Sequence, residues 1–307
     1  MTAQRAPLSD GRWHFQHGPI DIVVGANGEP SAVAQAHQAA WLRFQTVLQE
    51  LVAELPILRQ ALPMEGALPS AHERLSGAVA QRMWIACAPF RADFITPMAA
   101  VAGAVAQELI ACYQRPGVER AWVNNGGDIA FHLAPGHSLR VGLFADLDAM
   151  GAALADPAGL RTDAQASLEY GLPVRGIATS GWRGRSFSLG IADSVTVLAA
   201  TAAQADAAAT VVANAVNVQH PGILRQPACL LRDDSDLGSL PVTTEVPQLP
   251  PDLVRRALAA GLAQAQALQR AGLLWSATLV CQGQWQQTRV FPALAAEDAA
   301  QVGSVFA

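Results

Sequence analysis

Ala121-Trp-Val-Asn-Asn-Gly-Gly-Asp-Ile-Ala-Phe-His-Leu133 places two strand-forming runs, Ala121–Asn124 and Asp128–Leu133, on either side of a turn-rich centre. Asn-Gly between apolar runs is a strong short-range hairpin signal, so an antiparallel pair is expected here. Further strand-like runs follow at Leu139–Phe144, Val174–Thr179 and Ser194–Ala199, and a closing pair around 274–281 and 285–291. On the N-terminal side, residues 12–24 alternate loosely and end in Ile20, Ile22, Val23 and Val24 before Asn27–Gly28, as one or two strands of a hairpin would.

Helices are expected between these strands. Ser31 can cap a long helix from about Ala32 that ends before Pro56, with Leu42, Val47, Leu48, Leu51 and Leu55 as its apolar stripe. Residues 60–70 hold two prolines and a glycine and read as a loop. A second helix, rich in Ala and Gly, should begin near Pro97. Ala99, Gly103 and Ala106 place small residues near one of its faces, so a neighbour can approach closely. Residues 202–213 and 252–270 are further helices, the latter after a polar, Pro-rich connection over 232–251. Helices and strands mix without a regular βαβ rhythm. The expected architecture is α+β, a single compact domain with helices packed on a mainly antiparallel sheet. Its expected limits are 12–292, with a flexible N-terminus over 1–11 and a C-terminal tail over 293–307.

Composition narrows the function. Hydrophobic residues make up 51% of the 307, charged residues 15%, and the formal net charge is −5. A chain this apolar is not disordered. A net negative surface without basic clusters opposes the phosphate attraction on which nucleic-acid binding depends. Residues 96–112 form the most apolar stretch, but Gln107 and Glu108 interrupt it and it is too short to span a bilayer. The first ten residues carry no apolar signal core, so a cytoplasmic protein is expected. The four cysteines, Cys87, Cys112, Cys229 and Cys281, form no CxxC pair and read as buried thiols. Histidines 14, 17, 132 and 137 show no triad context and read as scattered surface residues. The expected partner is a small-molecule ligand, not nucleic acid or membrane; a homo-oligomer stays open.

Three clusters carry chemistry. Paired glycines in Asn124–Asp128 let a backbone approach a ligand closely, with Asp128 and the flanking amides as polar contacts; a plain hairpin turn uses the same residues. Gly176–Gly181, followed by Arg183 and Arg185, offers small residues and hydroxyls after an apolar strand, suited to an anion cradle or to a solvated turn. In the third cluster, Asp206 and Thr210 stand one helical turn apart and share a face. A carboxylate and a hydroxyl so placed are hard oxygen donors of the kind Mg²⁺ prefers; a structural brace is the alternative. Asp193, embedded in the apolar run 191–198, needs partners for the same reason as any buried carboxylate.

Taken in order, Asn124–Asp128, Ala178–Gly181 and Ala205–Thr210 resemble the Asn-x-Gly-Gly-Asp, Ala-Thr-Ser-Gly and Ala-Asp-Ala-x-Ala-Thr segments of the ApbE superfamily of FAD:protein FMN transferases. Phe94–Gly103 and Gly184–Asp193 resemble more closely a bacterial and archaeal branch related to ApbE, and the likeness runs from about residue 10 to 292. The resemblance implies an ApbE-like fold and Mg²⁺ held by Asp206, Thr210 and the backbone carbonyl of Ala178. It also implies a nucleotide, flavin (FAD or FMN) or pterin site drawing on Thr96, Asn125, Gly126, Gly127, Asp128, Thr179, Ser180, Ser186 and Ser188. Asp128, Asp193 and Arg185 are the catalytic candidates, and Mg²⁺-dependent phosphoryl or nucleotidyl chemistry is the reaction class implied. One departure bears on activity. ApbE transferases carry His-Ile-Ile-Asp-Pro shortly after Ala-Thr-Ser-Gly, whereas this chain has Ser186-Phe-Ser-Leu-Gly190 and no histidine there. Two other readings stay open: an enzyme of one-carbon, tetrahydromethanopterin-type cofactor metabolism, and a non-catalytic maturation or scaffold protein.

Overall fold

A computed structural model of the chain describes residues 2–8, 10–143, 164–184 and 186–289. The strands are β1 (Gln4–Pro7), β2 (Trp13–His17), β3 (Ile20–Gly28), β4 (Val118–Asn125), β5 (Asp128–Leu133), β6 (Ser138–Leu143) and β7 (Ala164–Glu169). They continue with β8 (Gly176–Ser180), β9 (Ser194–Ala199), β10 (Leu224–Pro227), β11 (Pro241–Glu245), β12 (Ser276–Cys281) and β13 (Gln284–Gln287). Among the described residues, nine of these form one sheet in the order β1-β2-β3-β4-β5-β8-β9-β12-β13, every neighbouring pair antiparallel. The helices are α1 (Pro30–Leu58), α2 (Ala71–Arg74), α3 (Ala78–Cys87), α4 (Val101–Ile110), α5 (Ala202–Ala215), α6 (Ala228–Leu231) and α7 (Pro251–Arg270). A 3₁₀ turn, Pro97–Ala100, leads into α4. The chain is α+β, with helices on a large antiparallel sheet.

Successive side chains of a strand point to opposite faces, and the sheet uses both. Val123, Ala130, Ala178, Val195 and Val197 join the helices in the main core. Ile129, Phe131, Ile177 and Leu198 form a second core with Val141 of β6 and Leu168 of β7, so the β6–β7 hairpin covers the opposite face. Each such side chain, fully buried, contributes roughly 1.5–3 kcal/mol of hydrophobic stabilisation. Small residues bring α5 down onto β8 and β9, since its eight buried positions include seven alanines, and α4 packs beside it.

Several expectations need correction. The sheet begins before residue 12, because Gln4–Pro7 pairs with Trp13–Gln16 as an edge strand rather than forming part of a flexible N-terminus. Helix α1 starts at Pro30, where the missing N–H costs nothing, and runs through Pro56 to Leu58. Pro56 cannot donate to the carbonyl of Val52, but Val52 is 53% exposed, so solvent can serve that oxygen. The buried stripe of α1 is Ala36, Ala40, Phe44, Val47 and Leu51, whereas Leu42 is 58% exposed. Helix α3 was not expected, and β11 lies within the stretch expected to be an irregular connection. Ser194–Ala199 and the loop over 60–70 stand as expected. Phe144, the chain beyond residue 289 and hence the proposed domain end at 292 lie outside the described residues. Among the histidines, His17 is buried against Phe44 rather than on the surface.

Candidate functional site

The antiparallel registers Asn125↔Asp128, Ser180↔Val195 and Ser194↔Val280 bring the 126–127 turn, the 181–193 loop and the 282–283 turn to one end of the sheet. The first of these turns needs its glycines, since Gly126 and Gly127 sit at φ of 67° and 107°, in the region other residues avoid. Gly127 N donates to Asn124 Oδ1 at 2.8 Å, closing the turn. From it, two buried side chains reach outward. Asp128 Oδ1 accepts from Thr179 N at 3.2 Å, and Asn125 Nδ2 donates to the Ala102 carbonyl at 3.1 Å.

Ala102 belongs to the first turn of α4, whose N-terminal amides have no partner inside the helix. Asp206 supplies one from α5, with Oδ2 accepting from Gly103 N at 2.9 Å. That bond requires close approach, because a Cβ on Gly103 would lie 2.3 Å from the Ala202 carbonyl oxygen. The hairpin, α4 and α5 are therefore joined through consecutive residues of one helix terminus. Burial pushes Asp206 up to about 7, opposed in part by the Gly103 and Ala102 amides, which favour the charged form. No cationic side chain pairs with it among the described residues.

Asp206 opens a polar ridge along α5. Thr210 stands one turn on, half-buried, and its hydroxyl has no hydrogen-bond partner among the described residues. Asn214 follows after another turn, where its Oδ1 accepts from Leu189 N at 2.9 Å and from Ser188 Oγ at 3.2 Å. Ala178 lies fully buried on the β8 face that packs against α5. At the Asp206 end, Thr96 is 2% exposed and donates from Oγ1 to Asp236 Oδ2. Beneath, the fully buried Cys87 thiol is pushed up by burial and then by the charges of Asp206 and Asp236.

The expected site residues thus separate. Asn125, Asp128, Ala178, Asp206 and Thr210 share the helix side of the sheet, with Thr96 and Ser188 at the two ends of the α5 ridge. Thr179 is divided: its amide holds Asp128, but its side chain follows Ile177 to the opposite face, where Oγ1 meets Thr196 Oγ1 at 3.0 Å. Ser180 is half-buried, Gly126 and Ser186 are exposed, and Gly127 is half-buried in the turn. Asp193 is held by the Trp182 indole at 3.3 Å and the Gln282 amide, with Arg183 at 3.8 Å, a brace between the 181–193 loop and the 282–283 turn. Arg185 lies outside the described residues.

Sequence reading missed Asn214, Asp236 and the Ala102–Gly103 backbone. Asn214 continues the helical spacing that singled out Asp206 and Thr210, so period alone could have found it. The Thr96–Asp236 contact spans 140 residues and leaves no local signal. Among the described residues no three His, Cys, Asp or Glu side chains converge as a metal cage, and no helix is long and apolar enough to cross a membrane.

An α+β chain with a nine-stranded antiparallel sheet and a glycine turn at its end matches, over residues 5–287, the family model described as AbpE bacteria. The chain belongs to that family. UPF0280 proteins are among its relatives: that of Methanopyrus kandleri is 34% identical over 218 residues, covering 70% of this chain and 78% of the relative. That of Methanosphaerula palustris is 30% identical, covering 69% and 79%. A third, from Methanospirillum hungatei, is 34% identical over 151 residues, and the chain spans about half of it, 53%. Among solved structures, the apo flavinyl transferase ApbE of Pseudomonas stutzeri aligns over 93% of each chain at 13% identity, with a TM-score of 0.40.

Proposed function

We propose that the protein binds a nucleotide or a flavin- or pterin-type cofactor along the α5 ridge, and that Mg²⁺ joins the ligand there for phosphoryl or nucleotidyl chemistry. The observation that carries this reading is the hydrogen-bonded path from Asn125 through Ala102 and Gly103 to Asp206, which gathers motifs eighty residues apart in sequence into one polar, half-buried place. The donor set suits the cation. Asp206 is a half-buried carboxylate and Thr210 offers a hydroxyl one turn away, with no cation on the first and no hydrogen-bond partner for the second among the described residues, and Ala178 lies on the strand face beneath. Asp206, Thr210 and the Ala178 carbonyl would hold Mg²⁺, which when bound supplies polarisation of a ligand phosphate. Asn125 and Asp128 fix the opposite wall.

Transfer of FMN to a protein hydroxyl is not part of this reading. The family's histidine is replaced within Ser186–Gly190, and the buried Ser188 hydroxyl there already donates to Asn214. Two measurements test the proposal. Mass spectrometry of small molecules released from the purified protein should show a nucleotide- or pterin-containing ligand. Calorimetry with FAD and ADP should show binding that strengthens with Mg²⁺ in the wild type and not in Asp206→Asn. Equal titrations with and without Mg²⁺ in both proteins would remove the cation from the site. Incubation with FAD, Mg²⁺ and a transferase target peptide should leave the peptide mass unchanged.

A further inference from the structure

Thr243 of β11 is 5% exposed, and its hydroxyl has no hydrogen-bond partner among the described residues. An unpaired buried hydroxyl costs stability, so its persistence asks for a reason. Its place in the fold suggests one. Thr243 N donates to the Ser188 carbonyl at 2.8 Å, and Ser188 Oγ donates to Asn214, the far end of the α5 ridge. Seven residues earlier on the same segment, Asp236 accepts from Thr96 at the near end. Asp206 and Asn214 are separated by about 12 Å of helix, a span that seven residues of chain cover easily. The segment 236–243 therefore links the two ends of the ridge.

We infer that Thr243 is a ligand-binding residue on that linking segment, its hydroxyl hydrogen-bonding a polar group of the bound nucleotide or cofactor at the Asn214 end of the ridge. The inference rests on the ligand site proposed above. It extends the site to a wall that none of the glycine, Ala-Thr-Ser-Gly or Asp/Thr segments contains. Ser276, 0% exposed and also without a hydrogen-bond partner among the described residues, provides a control, since it sits at the opposite end of β12 from the site.

The test compares wild type, Thr243→Val, Thr243→Ser, Ser276→Ala and Asp206→Asn by thermal melts and by titration with ADP and FAD in Mg²⁺. Thr243→Val keeps shape and strand propensity while removing the hydroxyl. It should raise Tm by roughly 2 °C and weaken binding about three- to tenfold, the worth of one neutral hydrogen bond. Thr243→Ser should bind like wild type, and Ser276→Ala should gain stability with affinity unchanged. Should valine not be accommodated, Thr243→Ala poses the same question. Wild-type affinity in Thr243→Val or Thr243→Ala, alongside weakened binding in Asp206→Asn, overturns the role of Thr243 and leaves the ligand site standing. A wild type that binds neither probe overturns the site itself, and this inference with it.

Discussion

Asp206 shows how one carboxylate can serve a fold and a proposed ligand site at once. It caps the amides of α4, yet burial without a cation holds it near 7, well above its usual 3.8. A carboxyl raised in the folded state favours the proton-bearing form. Its stabilising contribution is complete below about pH 4 and is lost as pH rises through 7. Asp206→Asn keeps an acceptor for Gly103 but cannot titrate. The Tm of wild type minus that of Asp206→Asn should therefore fall steadily between pH 4 and 8, and a flat difference in melts across that range would contradict the assignment. Added Mg²⁺ at pH 8 should restore wild-type stability and leave the variant unmoved, because only a folded state that binds the cation is stabilised by it. Thr179 teaches the converse lesson. Its presence in the Ala-Thr-Ser-Gly segment marked it as a site residue, but strand alternation fixes its side chain on the face of Ile177. The period of two was legible in the sequence and fixes where the side chain points, leaving the backbone amide toward Asp128.

At the scale of elements, the contact between α4 and α5 is the one on which the site depends. Small residues at Ala99, Gly103 and Ala106 announced a close approach, and the structure puts Gly103 against Ala202 and Asp206. Gly103→Ala would place a methyl 2.3 Å from the Ala202 carbonyl oxygen and 2.9 Å from Asp206 Cβ. Backbone must move, so a loss of roughly 3 kcal/mol is expected in denaturant melts, together with loss of Mg²⁺-dependent binding. An unshifted midpoint would show that the helices have slack. Elements with strong local patterns, such as β5, β9, α5 and α7, could be read from sequence within a few residues. Where contact is made by alanine, reading was incomplete: Val47 and Leu51 face the core as expected, but so do Ala36 and Ala40, while the more hydrophobic Leu42 faces solvent. β11 was hidden because proline-flanked strands lack alternation and its partner, β10, lies across an intervening helix and loop. The segment linking the two ends of the α5 ridge was illegible for the same reason.

For the whole molecule, the question is whether the helix layer and the sheet open together. Two buried thiols allow this to be asked directly. Cys87 lies in α3 with its Sγ 3.8 Å from the Pro97 carbonyl, and Cys281 ends β12 with its Sγ 3.5 Å from the Ile191 carbonyl. Burial raises both thiols, that of Cys281 to about 12, so the reactive thiolate is scarce while the core is closed. Alkylation of either therefore waits for an opening of the structure around it. Identical labelling rates at both positions, each following the unfolding free energy as denaturant is raised, are expected of a single cooperative domain. Faster labelling at Cys87 would mean that the helix layer lifts on its own. Because Cys87 lies beneath the segment that carries Thr96 and leads to Gly103, its labelling half-time also becomes a clock for occupancy. A molecule seated on the α5 ridge must slow that clock, whatever the molecule is, so a metabolite extract can be screened for the natural ligand by reaction time alone.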